Sequence, residues 1–434
     1  MTDSVVNLLK FPYPYTSAIT VCSDIDGTSF ENFVSIHEFL NTGKQTSLGE
    51  GVRLPIGDSF WMYDTEGIED SAFSYFTGAG EKESPFAGPI RDFIRAGIID
   101  VMHSYGNFRS RDSFSRNLAF KALEELKKHN LNLCVWTNHG GMESVQNIGV
   151  NSFGQGDMSD SEYYHTDLLL DFGVQFFWDS ELSLHTNVGQ DTYSRYGDAY
   201  WNSTLNITTK EILTYSAKGI LNYMDMVQSK LSSRRILNWP LFEIHDNELL
   251  NEYELRSGEK LFRFKRFGHG KYDWSDDLPR LINIAFLEKL MKKQGYAILY
   301  IHLGDRRQID NGKALSDESI RAFRLLSNYY HMGKIWVSTT SSILKYNYIH
   351  KNLDWSTTLN EDTLIIDING LKNPHQDQVL SLKDLQGLSF NCGSHKGEIK
   401  LLIHHKEQKY FTEYTTALGQ RIVCISLSDL EWPL

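Results

Sequence analysis

Short apolar runs alternate along this chain with amphipathic stretches of helical period, and that alternation limits its fold more than any other feature. The apolar runs are SAITVCS (17–23), SFWMY (59–63), IIDVM (98–102), LNLCVW (131–136), VQFFW (174–178), AILYI (297–301) and KIWVS (334–338). Helical patterns lie between several of them. RNLAFKALEELKKHN (116–130) puts Leu118, Ala122, Leu123 and Leu126 on one face and sets Lys and Glu opposite. The stretches 279–295 and 317–333 repeat the scheme, each ending at a glycine suited to a helix C-cap. Strand, helix, glycine and strand in succession predict βα units and a parallel sheet. The expected class is α/β, a (β/α) barrel either closed or incomplete.

Two segments break this rhythm. Residues 185–275 are rich in Tyr, Asn, Ser and Asp with little periodicity, which predicts a long insertion over one face of the barrel. From about 355, TLIIDING, GLSFNCG, EIKLLIHHK and QRIVCISL are short runs split by turn residues, with no helical pattern among them. The expected organisation is a barrel over 1–350 and a small C-terminal antiparallel β domain, sandwich-like, over 351–434.

The strand ends carry the chemistry. Asp24 and Asp26 follow the first run, His103 the third, Asn138 and His139 the fourth, Asp179 the fifth, and His302 the AILYI run. Parallel βα units bring such ends to one face, where barrels hold their active sites. Two carboxylates two residues apart, with several imidazoles, suit metal-assisted hydrolysis, which needs metal ligands, a base and an acid. A net charge of −12 leaves no basic excess for nucleic acid. No run reaches the roughly 18 apolar residues of a membrane span. The first residues lack a basic segment followed by an apolar one, so no signal peptide and a cytoplasmic location are expected. Cys22 and Cys134, inside apolar runs, read as buried thiols.

VCSDIDGTSF (21–30), MHSYGNF (102–108) and AILYIHLGD (297–305) together resemble the motifs of NodB-like polysaccharide deacetylases (carbohydrate esterase family 4), in that family's order and over roughly residues 17–345. The resemblance implies a (β/α) barrel that removes an acetyl group, N-acetyl above all, from a carbohydrate, with one divalent ion, usually zinc. A role in making or modifying a surface polysaccharide would follow. By the same resemblance Asp24 is the base, Asp26 and His103 are metal ligands, and His302 is the acid. Asn107 stands where the family has a second histidine. The third ligand is therefore Asn107, or else His139 of WTNHGG in its place. Asn138, His139 and Arg195, the last in SRYGDAYW, are the remaining candidates for contacting substrate.

Two other readings compete. Asp24-x-Asp26-Gly-Thr also fits the nucleophile loop of haloacid-dehalogenase-like phosphatases, with Thr137 and GDRRQID (304–310) as partial matches and Mg²⁺ as the ion. That chemistry gives His103, His139 and His302 no task. The third reading is a carbohydrate-binding protein on a degenerate deacetylase scaffold. Asn107 supports it, while the retained pair Asp24 and His302 argues against it.

Overall fold

The computed structural model describes residues 6–64, 72–80, 82–108, 113–140, 144–149, 154–180, 182–183, 189–191, 247–268, 273–305, 313–372 and 380–434. The chain is mixed α/β. Its parallel strands are β1 (Ser17–Ser23), β2 (Asp58–Phe60), β3 (Ile99–His103), β4 (Val135–Thr137), β5 (Phe176–Trp178), β6 (Lys260–Phe264), β7 (Arg266–Phe267), β8 (Tyr296–Ile301) and β9 (Ile335–Val337). They form two sheets. One runs β2-β3-β4-β5-β6 and is flanked by Leu250–Glu254, antiparallel to β6; the other runs β9-β1-β8-β7 and is flanked by Leu182–Ser183.

Only Lys265 separates β6 from β7, so one extended segment crosses from the first sheet into the second. β6 pairs in parallel with β5, and β7 in parallel with β8. The expected barrel is not closed. Among the described residues no ladder joins β9 to β2. β9 pairs, among the described residues, with Ser17–Ile19 alone, the N-terminal half of β1, and then turns into the helix Thr340–Asn352. The Ser341 N–H at the start of that helix donates to Asp100 on β3 (2.6 Å).

The helices end where local chemistry dictates. Ser29, Asn283, Ser316 and Thr339 each accept a backbone N–H at a helix start, satisfying donors that no earlier turn can reach. The stretch read as one helix over 279–295 is two, Leu278–Leu281 and Ile284–Lys293, because Asn283 accepts the Phe286 N–H and opens a new helix. Arg116–Lys128 buries Ala119, Ala122, Leu123 and Leu126, close to the predicted face.

Most of the insertion expected over 185–275 lies outside the described residues; its described part at 247–268 belongs to the scaffold, since it supplies β6 and β7. Phe262, Phe264 and Phe267 pack inward, and the segment that reads as irregular and polar becomes a strand shared by both sheets. After Leu353 the described residues form strands and turns without a helix, the β region that the sequence predicts. Leu353–Asn360, Thr363–Leu371, Ile399–Ile403 and Lys406–Gln408 form one four-stranded sheet; Ser389–Asn391, Arg421–Ile425 and Phe411–Thr415 join Asn7–Leu8 in another. Its ladders are not all antiparallel, because Thr363–Leu371 runs parallel to Ile399–Ile403. One hydrophobic cluster runs from Ala18 and Ile298 through Ile343 to Ile366, Phe390 and Val423, so the β region shares its core with the α/β region. The four cysteines are buried free thiols. Among the described residues no helix is long and apolar enough to cross a membrane.

Candidate metal centre and its acid–base flanks

Parallel pairing delivers the strand-end residues to one place. The Asp24 N–H donates to the Ile301 carbonyl (2.9 Å), the Ser104 N–H to the Thr137 carbonyl (2.8 Å) and the Asn138 N–H to the Trp178 carbonyl (3.2 Å). The loops after β1, β3, β4 and β8 therefore leave the sheets at the same level. Their side chains meet in a buried cluster of Asp24, Asp26, His103, His139 and His302.

Three of these residues form a triangle. His103 Nε2 lies 3.1 Å from Asp26 Oδ2, His139 Nδ1 lies 3.1 Å from Asp26 Oδ1, and the two ring nitrogens are 3.1 Å apart. The far side of each ring has a partner of its own. His103 Nδ1 is 2.8 Å from Thr137 Oγ1, and His139 Nε2 is 3.1 Å from Asn107 Oδ1. Protons placed on those outer nitrogens leave Nε2 of His103 and Nδ1 of His139 as lone pairs facing each other and the carboxylate. Three converging acceptors repel one another unless a cation or extra protons lie among them. Two ligands of a tetrahedral zinc ion stand about 3.3 Å apart, given metal–ligand bonds of about 2.0–2.1 Å. The observed edges fit that spacing, and the donor set of two imidazoles and a carboxylate suits zinc. Asp26 Oδ2, buried and without a well-directed hydrogen bond, is a further sign of a cation site.

The closeness of these groups also sets their charges on one another. Burial alone would raise the Asp26 pKa, but His139 and His103 outweigh it and hold the carboxyl well below its usual range. Burial likewise works against a charged His103, and Asp24 and Asp26 reverse it, raising the pKa of the imidazole.

Asp24 faces the triangle from the side, with Oδ1 3.5 Å from His103 Nδ1. Arg266 grips it by both oxygens: Nη2 donates to Oδ1 (2.9 Å) and Nη1 to Oδ2 (3.4 Å), while Nη2 also reaches the Cys22 carbonyl (2.6 Å). The guanidinium is completely buried between the rings of Trp178 and Tyr300, 4.2 and 4.4 Å from their centroids. Burial opposes its charge and Asp24 restores it, so its pKa lies above the ordinary value.

His302 also lies beside Asp26, its Nε2 3.7 Å from Oδ2. Its Nδ1 lies 3.1 Å from the Asp273 carbonyl and 3.8 Å from the Asp273 carboxylate, and its ring packs against Trp274 and Tyr300. Asp24, Asp26 and His302 make a second carboxylate–imidazole group. The Arg266 guanidinium already neutralises Asp24 there, so this group suits proton transfer better than a second cation.

The predicted residues separate accordingly. Asp24, Asp26, His103 and His302 come together as expected. His139, expected either as the third ligand in place of Asn107 or as a substrate contact, is at the triangle. Asn107, the other candidate for the third ligand, lies behind His139, its Oδ1 3.1 Å from the outer nitrogen, where it would orient that ring toward an ion. Asn138 faces away from the cluster. Its Oδ1 accepts from Trp136 Nε1 (3.0 Å) and the Ile148 N–H (3.1 Å), and its Nδ2 donates to the Ile148 carbonyl (2.8 Å). It secures the loop behind His139, as Asn147 does by bonding the His139 N–H and carbonyl. Arg195 lies outside the described residues. His165 precedes the helix Thr166–Phe172 but does not cap it with its ring; its Nε2 contacts the Gln146 carbonyl (2.8 Å).

Arg266, Asp273 and Trp61 escaped the sequence reading. Arg266 lies in FRFKRFGHGK, where adjacent basic residues suggest a solvated face. The alternation of Phe262 and Phe264 was the available signal for a strand. Trp61 is fully buried, stacked on His103 with an interplanar angle of 13° and edge-on to His139. Nothing in SFWMY distinguishes it from a core aromatic. Comparison with protein-family models, curated proteins and solved structures finds no match for this chain, so its own residues carry the functional reading.

Proposed function

We propose that this chain is a metal-dependent hydrolase that removes an acetyl group, N-acetyl above all, from a carbohydrate. In this reading the split parallel sheet is an open (β/α) barrel of the deacetylase kind, working on a surface polysaccharide or its precursor. The observation that carries the proposal is the triangle of Asp26, His103 and His139, with an arginine-clamped carboxylate and a further imidazole beside it.

Asp26, His103 and His139 would hold a divalent ion, zinc by its donor set, which when bound polarises a carbonyl and makes water more acidic. Asp24 takes the proton from the attacking water. Arg266 holds that carboxylate by both oxygens, fixing where the proton is received. His302 gives a proton to the departing amine or hydroxyl from Nε2, the nitrogen that faces Asp26. The Asp273 carbonyl keeps Nδ1–H of His302 in place, so the ring presents Nε2 to the site. Base and acid both lie beside Asp26, in one buried carboxylate–imidazole group, within reach of a single bound substrate.

The phosphatase alternative fits less well. Thr137, its candidate second-strand hydroxyl, is engaged with His103, and Asp24, its candidate nucleophile, is held by Arg266 at both oxygens.

The test is metal content by plasma mass spectrometry, on protein purified without a histidine tag or chelator, beside His103→Ala and His139→Ala. Near one zinc per chain in wild type, lost in both variants, is the expected result, followed by acetate release from acetylated sugars. Wild-type protein that retains no transition metal and releases no acetate after zinc addition refutes the proposal. Metal without acetate release favours a binding protein on this scaffold.

A further inference from the structure

The loop carrying Asp26 and the loop carrying His302 are fastened together beyond the end of their shared ladder. β1 and β8 pair in parallel from Ala18 with Tyr296 to Ser23 with Ile301. Parallel strands need not keep their outgoing loops in contact, yet these stay joined. The Leu303 N–H donates to Ser23 Oγ (3.2 Å), Asn32 Nδ2 donates to the Gly304 carbonyl (3.3 Å), and Thr28 and Asp305 form an antiparallel bridge.

The contact is too close to admit a side chain on either strand of this seam. A Cβ on Gly27, which also has φ +63°, would lie 2.5 Å from Asp305 Oδ1 and 2.8 Å from Oδ2. A Cβ on Gly304 would lie 2.4 Å from Thr28 Cγ2. The Asp305 carboxylate thus rests on the peptide that follows Asp26, and it is 2% exposed. Glycine at 27 meets two needs at once, the left-handed backbone and the approach of the carboxylate.

We propose that Asp305 is a positioning residue, a buried clamp that fixes the Asp26 loop against the His302 loop so that metal ligand and acid keep one spacing. Asp305 is not among the groups able to share an ion with Asp26, and its role is to hold the backbone of Gly27. The catalytic consequence rests on the deacetylase reading above; the clamp itself does not. Groups behind metal ligands commonly change affinity by about 10–100-fold when removed, and the same range is expected here.

Amide hydrogen exchange on the full chain tests the clamp directly, with zinc affinity as the second readout. Asp305→Ala should speed exchange in both peptides, 17–30 and 296–305, and weaken zinc binding by about 10–100-fold. Asp305→Asn keeps a planar group over Gly27 and should restore most of both. A residue serving only general stability would lower the melting temperature without selectively loosening these two peptides. Unchanged exchange in Asp305→Ala, or loosening confined to 296–305, overturns the clamp. If wild type binds no zinc, the deacetylase reading fails, and the exchange comparison still decides the clamp.

Discussion

Arg266→Met offers a demanding test of the site, because the arginine is fully buried and both its partners are defined. Methionine retains the fit between Trp178 and Tyr300, since a thioether packs well against aromatic faces. What disappears is the charge and the two-oxygen grip on Asp24. Breaking a buried ion pair from one side costs about 3–5 kcal/mol, chiefly because the remaining charge stays desolvated and alone. His103, 3.5 Å from Asp24 Oδ1, offers partial compensation, which favours the lower end of that range. For a chain of 434 residues the unfolding entropy is about 0.9 kcal/mol/K. The melting temperature should therefore fall by about 3–6 °C, read by circular dichroism in chelator-treated protein. Adding Asp24→Asn removes the stranded carboxylate. The double variant should recover at least about half of the loss. A single variant within about 1 kcal/mol of wild type, or a double variant no more stable than the single, would refute the account of Arg266 as the counter-charge of Asp24.

Three further outcomes follow from the same geometry. His139→Ala should abolish zinc retention, whereas Asn107→Ala should weaken it by about 10–100-fold, measured by competition with a chromophoric chelator; the reverse order would return Asn107 to the ligand set. His165 is held by burial near a pKa of about 4, below the 6.5 of an exposed imidazole, so the unfolded chain binds its proton first and stability falls as pH drops from 6.5 towards 4. That acid limb, up to about 3 kcal/mol, should flatten in His165→Phe when urea melts are compared at pH 4.5 and 7. Asp100 shifts the opposite way. Burial raises it to about 7, so the folded state holds the proton longer than the unfolded one, and stability is lost as pH rises from about 4 through 7. Asp100→Asn keeps an oxygen for the Ser341 N–H and should be more stable than wild type at pH 8, by up to about 4 kcal/mol, with the gain vanishing near pH 4.

The sequence alone determined the αβ alternation, the β character of the C-terminal region and most of the residues that gather at the candidate site. Those features are written in local periodicity: a strand such as SAITVCS is continuous and apolar because both its faces are buried, and a polar residue directly after it sits at a sheet end. Asp24, Asp26, His103 and His302 were legible for that reason. Tertiary structure decided which atoms meet. Whether Asn107 or His139 turns toward Asp26 depends on how the loops after β3 and β4 close. Asn138, Gln146 and Asn147 settle that through hydrogen bonds spanning up to 41 positions. Arg266 is 242 residues from Asp24 in sequence, in a stretch whose composition resembles a solvated surface. A guanidinium in such a stretch becomes a buried counter-charge only once β7 lies beside β8, which in turn lies against β1. Periodicity reports the environment along one segment, and long-range pairing between segments is what converts separate strand ends into a site.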